Sequence, residues 1–375
     1  MSASRLISTP VELLLELCAI RSQTGDERAM ADRVGAELDS IGLTWDEDDT
    51  AEIVGSNSGN VFCRLEGTAP GTSLFFCAHL DTVPPVGALE PVVEEGRVRN
   101  AGGTILGSDN KAAIVAMLEA VRRIVDENRP HAGIELLFTT AEETGLHGAG
   151  AFDVSRLVAR QGFVYDQGAP PGEIVLGAPG AFSIQATIQG RASHAGMAPE
   201  EGRSAIAAAA KAISEFRLGR VDEETTANVG VVVGGTARNI VPEFCTFHAE
   251  ARSHDEGKLG ALVQEMLDAI AFAADAGECT AETVVTRQYH AYRFAPDDPI
   301  VRLARGAFER VGIPVVEALS GGAADANVFN LKGLSCLNLA NGMMEIHTPD
   351  EWIAVDDVER MIDVTLAIVD LAREG

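Results

Sequence analysis

Lysine is scarce in this sequence. Among 375 residues only Lys111, Lys211, Lys258 and Lys332 occur, and arginine supplies the rest of the 29 basic side chains. Against 56 aspartates and glutamates the formal net charge is −27. So acidic a chain argues against nucleic acid or an anionic membrane as partner. No apolar run approaches the roughly 18 residues that suggest a membrane span. The opening stretch, MSASRLISTPVELLLELCAI, has a short apolar part interrupted by Glu12 and Glu16. It reads as an amphipathic helix, not a signal peptide, and the expected location is cytoplasmic. The cysteines at 18, 63, 77, 245, 279 and 336 form no CxxC pair. They are expected to be reduced, buried thiols, not a disulfide framework or a thiolate zinc site. Internal repeats and low-complexity tracts are absent as well. The glycines of GLHGAGAF lack the strand–GxGxxG–helix register, which sets aside a phosphate loop.

What remains is an ordinary globular composition, 46% hydrophobic and 23% charged, on a chain long enough for two domains. The first half alternates helices and strands. Helical patterns cover 10–20 and 27–41, and apolar strand-like runs follow at 60–65 (NVFCRL) and 73–79 (SLFFCAH). In GSDNKAAIVAMLEAVRRIVDE, Ile114, Met117, Leu118, Val121, Ile124 and Val125 share one helical face, with Ser108 or Asp109 placed to cap it. IELLF and GFVYD are further buried strands. Continuous apolar strands of this kind belong to an α/β domain with a mostly parallel central sheet flanked by helices.

Near residue 180 the texture changes. FSIQATIQG alternates, with Ile184, Ala186 and Ile188 on one face. The order that follows is β-α-β-β-α-β, the split βαβ arrangement of a ferredoxin-like α+β domain. After RFAPDDP the α/β texture returns: a helix at 298–311, a strand PVVEA, a glycine-rich turn, a strand LSCLNLAN and a helix at 355–373. The expected division is residues 1–180 and 294–375 for the large domain, with 181–293 inserted.

The chemistry-bearing residues follow the strands of the large domain. FFCAHLDTVP delivers His79 and Asp81, and the next loop delivers Asp109 at a helix start. LLFTTAEETG delivers Glu142 and Glu143, FVYDQG delivers Asp166, and EIHTPDE places His347 near the end. Open α/β sheets bind ligands outside the carboxyl ends of their strands. Carboxylates and imidazoles gathered there form the ligand set of a metal site. His79, Asp109, Glu143, Asp166 and His347 are the five candidate ligands. Their three carboxylates leave −1 against one dication and +1 against two, a balance that favours two ions and a hydrolytic role. Glu142 is then available to take a proton from water, and Asp81 to accept the second N–H of the His79 ring. Adjacent glutamates in one extended strand would point to opposite faces, so the chain must leave extended geometry there. The remaining histidines, His131, His147, His248, His254 and His290, read as surface, lid or variable positions.

Taken together, HLDTVP, GSDNKAA, AEETGLHGAGAF, YDQGAPPGEIV, GRASHAGMAPEEGRSAI, RNIVPE, EARSHD, SGGAADANVF and IHTPDE resemble the co-catalytic metallopeptidases of family M20, in particular the peptidase T-like, tripeptide aminopeptidase branch. The motifs run from residue 79 to 350 in the family's order. The resemblance implies two Zn2+ per chain, with Co2+ or Mn2+ also compatible: His79 and Asp166 on one, Glu143 and His347 on the other, Asp109 bridging. It implies Asp81 orienting His79 and Glu142 as general base. His194 would hold the substrate carbonyl, often across a dimer, while Asn239 and Arg252 would bind substrate, the Arg252 fork suiting a terminal carboxylate. The loop SGGAADAN would line the pocket. The inserted domain would be a lid through which the chain forms a homodimer, and the substrate a short peptide. Aspartate at 166 is usual in aminopeptidases and dipeptidases, where deacylases and glutamate carboxypeptidases commonly carry glutamate. Asn110 departs from the pattern, since the peptidases more often have a second aspartate there. The alternatives are an N-acyl-amino-acid deacylase or glutamate-type carboxypeptidase, a non-catalytic metal-binding protein and, more distantly, a dinucleotide-binding enzyme.

Overall fold

The computed structural model describes residues 9–374. They form two compact units, one running up to Gly177 and resuming at Phe294, the other Ala178–Arg293.

The first unit is built on a mixed sheet. Its strands lie in the order Trp45–Glu47, Val61–Leu65, Ile134–Thr139, Leu74–His79, Gln161–Gln167, Ser335–Ala340 and Glu173–Ala178, with Val316–Leu319 beside the last. The four strands from Ile134–Thr139 to Ser335–Ala340 are mutually parallel. The pairings that flank them are antiparallel, except that Val316–Leu319 runs parallel to Glu173–Ala178. Both IELLFT and LFFCAH are buried along their whole length, which is why they read as unbroken apolar runs. The helix Ser108–Asp126 buries Ile114, Met117, Leu118, Val121 and Ile124 in the same core as these strands and the helix Val355–Glu374. At the start of Pro10–Ala19, Thr9 and Glu12 form a reciprocal cap, each side chain bonding the other's backbone N–H, worth about 1 kcal/mol.

Several expectations need correction. Neither Ser108 nor Asp109 caps its helix: Gly107 occupies the cap at φ +73°, and the Ser108 hydroxyl donates to Glu351 instead. The peptide Asp109–Asn110 is cis and both residues have non-helical backbone angles. The glycine-rich segment is a turn only at its start, because Asp325–Leu331 is helical. His131 is buried at 2% exposure, its Nδ1 accepting the Gly133 N–H, so it is no surface residue. A second sheet of Met343–Met344, Trp352–Ala354, Arg97–Asn100 and Pro91–Glu94 has no counterpart in the sequence pattern, nor does the strand Glu173–Ala178. The hairpin between Pro91–Glu94 and Arg97–Asn100 turns on Glu95 and Gly96, both at positive φ, the geometry of a tight two-residue loop. All six cysteines are free, and all but Cys279 are buried. Among the described residues no helix is long and apolar enough to cross a membrane.

The second unit is an antiparallel sheet in the order Gly219–Arg220, Thr225–Gly234, Phe244–Ser253, Gly180–Gln189, Thr280–Tyr289. The helices Ala205–Glu215 and Glu256–Ala276 share a core with Ile184, Ala186 and Ile188, the alternating apolar residues of Gly180–Gln189. One strand face is thus committed to helices, which the period-2 pattern encodes.

Candidate metal centre

His79 ends the strand Leu74–His79, Asp166 lies near the end of Gln161–Gln167, and Glu142 and Glu143 follow Ile134–Thr139. These three parallel strands are neighbours, so their carboxyl ends present the side chains to one place. Asp109 enters from the start of Ser108–Asp126, and His347 from a loop in which its own φ is +65°.

The five nominated ligands come together. Asp109 Oδ1 lies 3.1 Å from His79 Nε2, and its Oδ2 lies 3.1 Å from His347 Nε2. Glu143 Oε1 is also 3.1 Å from His347 Nε2, and Asp166 Oδ1 is 4.0 Å from His79 Nε2. One carboxylate therefore faces two imidazoles with different oxygens, and each imidazole has a second carboxylate of its own. Glu142 is in the same cluster: ligand atoms of His79, Glu142 and Asp166 lie within 4.8 Å of one another, as do those of His79, Asp109 and Glu143.

Asp81 does more than expected for the glutamates and less for the imidazole. His79 Nδ1 lies 2.8 Å from the backbone carbonyl of Asp81 and 3.4 Å from its carboxylate. The carboxylate instead accepts the N–H groups of Glu142 at 2.9 Å and Glu143 at 3.2 Å, and the Thr24 hydroxyl at 2.6 Å. Amides that leave a strand in a buried site need acceptors, and this fully buried carboxylate supplies them.

Two supporting residues have roles that the sequence does not show. Glu351, buried at 2% exposure, accepts from the N–H groups of Leu106 and Gly107 at 2.9 Å, Ser108 Oγ at 2.6 Å and the Asp109 N–H at 3.2 Å. One carboxylate thus binds the Asp109 loop to the segment carrying His347. Asn338 pairs with both backbone groups of Asp166, accepting its N–H and donating to its carbonyl at 2.9 Å, where the strand ladder shifts register. A glutamate four positions after His347 is the one visible signal for Glu351, and spacing alone gives it no partner.

The crowding shows in the proton affinities of the cation-free protein. Burial, then the negative charge of Asp166, pushes the Glu142 carboxyl well above its usual range. Asp166 is raised by burial and then by Asp109. Burial opposes charge on His79, but hydrogen bonds to Asp109 and Asp81 outweigh it and lift the ring well above free imidazole. His347 is raised to about 10 by its hydrogen bonds to Asp109 and Glu143. For Asp109 burial is outweighed by hydrogen bonds to His347 and His79, which hold its carboxyl below the usual range. An anionic cluster that holds on to protons is one that a divalent cation would neutralise by displacing them. The oxygen and imidazole donors fit Zn2+, Co2+ or Mn2+.

A pH dependence follows. Groups raised on folding contribute stability that is complete below their unfolded pKa, roughly 4 for carboxyls and 6.5 for imidazole, and is lost as pH rises through the folded value. Glu142, Asp166, His79 and His347 share this sign, with the His347 contribution lost through about 10. Asp109 and Asp81, both lowered, have the opposite sign and lose their contribution as pH falls through their folded values in the acid range. Metal-depleted protein should therefore melt at lower temperature at pH 9 than at pH 6, and saturating zinc should abolish the trend. Calorimetry at three pH values measures this, and a rising profile for the depleted protein would contradict it.

In the second unit, His194 and Asn239 share a short ribbon, Ser193–His194 paired with Ile240–Val241 and the Ala195 N–H bonded to the Asn239 carbonyl at 3.0 Å. His194 Nδ1 accepts from Gly196 N at 3.2 Å and Met197 N at 3.1 Å, which leaves the proton of the neutral ring on Nε2. Arg252 is not with them. It sits on Phe244–Ser253 opposite Ala181, bonded to Glu250 at 3.0 Å, roughly 26 Å of extended strand beyond Phe244.

Residues 75–371 match the family model described as Peptidase family M20/M25/M40. A curated relative, "Uncharacterized protein YqjE" of Bacillus subtilis (strain 168), is 39% identical over 364 residues, 97% of this chain and 98% of the relative. The crystal structure of aminopeptidase PepT from Bacillus cereus ATCC 10987 is 38% identical with a TM-score of 0.89, covering 97% of this chain and 98% of that one. A tripeptidase from Staphylococcus aureus subsp. aureus mu50 is 34% identical with a TM-score of 0.93, covering 98% of each chain.

Proposed function

Because the chain belongs to peptidase family M20/M25/M40, we propose that it is a dizinc aminopeptidase that removes N-terminal residues from short peptides, tripeptides above all. The observation that carries this is Asp109, whose two oxygens face His79 and His347 separately. His79, Asp166 and Asp109 would hold one ion, and His347, Glu143 and Asp109 the other. When bound, two such ions supply Lewis-acid polarisation of the scissile carbonyl and a more acidic water.

The chain's own residues do the rest. Glu142, buried and drawn in among the ligands, takes the proton from the attacking water and returns it to the leaving amine. Burial makes its carboxylate a stronger base than one in solvent. Asp81 keeps Glu142 and Glu143 in place through their amides, and its carbonyl orients the His79 ring. His194, with its proton on Nε2, is a donor for the oxyanion that forms at the carbonyl. Arg252 is suited to the peptide's carboxylate, and Asn239 to its backbone. The same reading includes a homodimer, in which His194 of a second copy completes the site. Ala178–Arg293 would then serve as the lid and dimerisation domain. Six unpaired thiols suit a reducing compartment, and we place the enzyme in the cytoplasm.

The test pairs a free-amine tripeptide with its N-acetylated form. Metal-loaded protein should release the N-terminal residue of the first and leave the second intact. Cleavage of the blocked peptide only would point to a deacylase or carboxypeptidase on the same scaffold.

A further inference from the structure

The four amides that follow the strand Ile134–Thr139 are all captured by side chains. Thr140 N donates to Asn60 Oδ1 at 3.0 Å and Ala141 N to Glu27 Oε1 at 3.1 Å. Glu142 N and Glu143 N donate to the two oxygens of Asp81 at 2.9 and 3.2 Å. Asn60, Glu27 and Asp81 are each fully buried. The segment they hold is bent out of extended geometry, with Ala141 at φ +51°, a left-handed angle that an alanine adopts only under constraint. That bend is what lets two adjacent glutamates serve one cluster.

Asp81 lies beside the metal cluster, but Glu27 touches none of the nominated ligands. Its remaining contacts are the Gly25 N–H at 3.0 Å and the Ser56 hydroxyl at 2.5 Å, both outside the site. Asn60 is anchored in turn by Asp48, Thr50 and the Gly148 carbonyl, each at 3.0 Å. The donors to Glu27 are two backbone amides and one hydroxyl, with no cation among the described residues. A neutral amide side chain would accept the same two backbone amides through its carbonyl, so what the position requires toward Ala141 is an acceptor of the right reach. The amide that Glu27 holds there is that of Ala141, one residue ahead of Glu142.

We infer that Glu27 is a positioning residue for catalysis, holding the Ala141 amide so that the bend delivers Glu142 and Glu143 to their separate places. The inference rests on the role proposed above for Glu142. Glu27→Ala should lower kcat on a tripeptide on the order of 10²-fold, the cost of a misplaced catalytic group, with KM little changed and metal content equal to wild type. Glu27→Gln should restore most of the rate, because its carbonyl keeps both amide partners and its NH2 can donate to Ser56. Hydrogen exchange of the peptide spanning residues 139–146 should quicken in the alanine variant and return to normal in the glutamine variant. Unchanged kcat and exchange in Glu27→Ala, or a glutamine variant as impaired as alanine, would overturn the inference. Should Glu27→Ala fail to fold, Ser56→Ala, which removes the outer anchor, must raise exchange across 139–146 and lower kcat, and no change in either would equally overturn it. The exchange comparison does not depend on turnover. If wild-type protein ignores tripeptides, the functional proposal fails while the positioning of 140–143 is still judged.

Discussion

Replacing Glu142 by alanine should lower kcat roughly 10²- to 10⁴-fold while the protein keeps its full complement of metal. The reason is a division of labour between two adjacent carboxylates. Glu143 faces His347 at 3.1 Å and, on the proposed reading, would be a ligand. Glu142 lies within ligand reach of His79 and Asp166, but the His79 ring already faces Asp109 at 3.1 Å and Asp166 at 4.0 Å. A carboxylate held close to the ligands yet surplus to them is placed to move a proton. Glu143→Ala should behave differently, losing affinity for the ion on the His347 side and activity with it. Metal analysis and tripeptide kinetics on the two variants separate the roles. Equal metal loss in both would merge them.

The second large effect is expected at Asp109. Its carboxylate contacts both imidazoles, so on the proposed reading Asp109→Ala would remove a ligand from both ions at once and leave two histidines with one carboxylate each. The loss in metal affinity should exceed the roughly 10- to 100-fold that accompanies changes in residues merely supporting a ligand. Zinc titration into chelator-treated protein, followed by calorimetry, measures this. Affinity within about threefold of wild type would remove Asp109 from the centre, being far below that range. Glu351 shows how strongly the protein secures this residue: four hydrogen bonds from residues 106–109 converge on one buried carboxylate.

Much of this is legible in the chain, for identifiable physical reasons. Strands such as LFFCAH and IELLFT are buried on both faces, so their apolar runs are continuous. The side chains at their carboxyl ends, His79 and Glu142–Glu143, can therefore be located from the hydrophobic pattern alone. The helix Ser108–Asp126 shows its core face by spacing, although its first turn departs from helical geometry and takes Asp109 with it. The sheet joining Pro91–Glu94 and Arg97–Asn100 to Trp352–Ala354 is not legible: its strands are two to four residues long, and Val98 pairs with Ile353 across most of the chain. Nor are the roles of Glu27, Asn60, Asn338 and Glu351. Each works by accepting backbone hydrogen bonds from a distant segment, and no local pattern records such a partner. Asp81 lies between the two cases. Its place beside His79 is visible, but its hold on the amides of residues 142 and 143 depends on how two strands end side by side.

That Asp109 joins two ions in one centre is tested most directly by counting metal. Protein saturated with zinc, desalted and measured by elemental mass spectrometry against amino-acid analysis should hold two ions per chain. One ion per chain in fully active protein would contradict the bridging role of Asp109 and the hydrolytic arrangement built upon it.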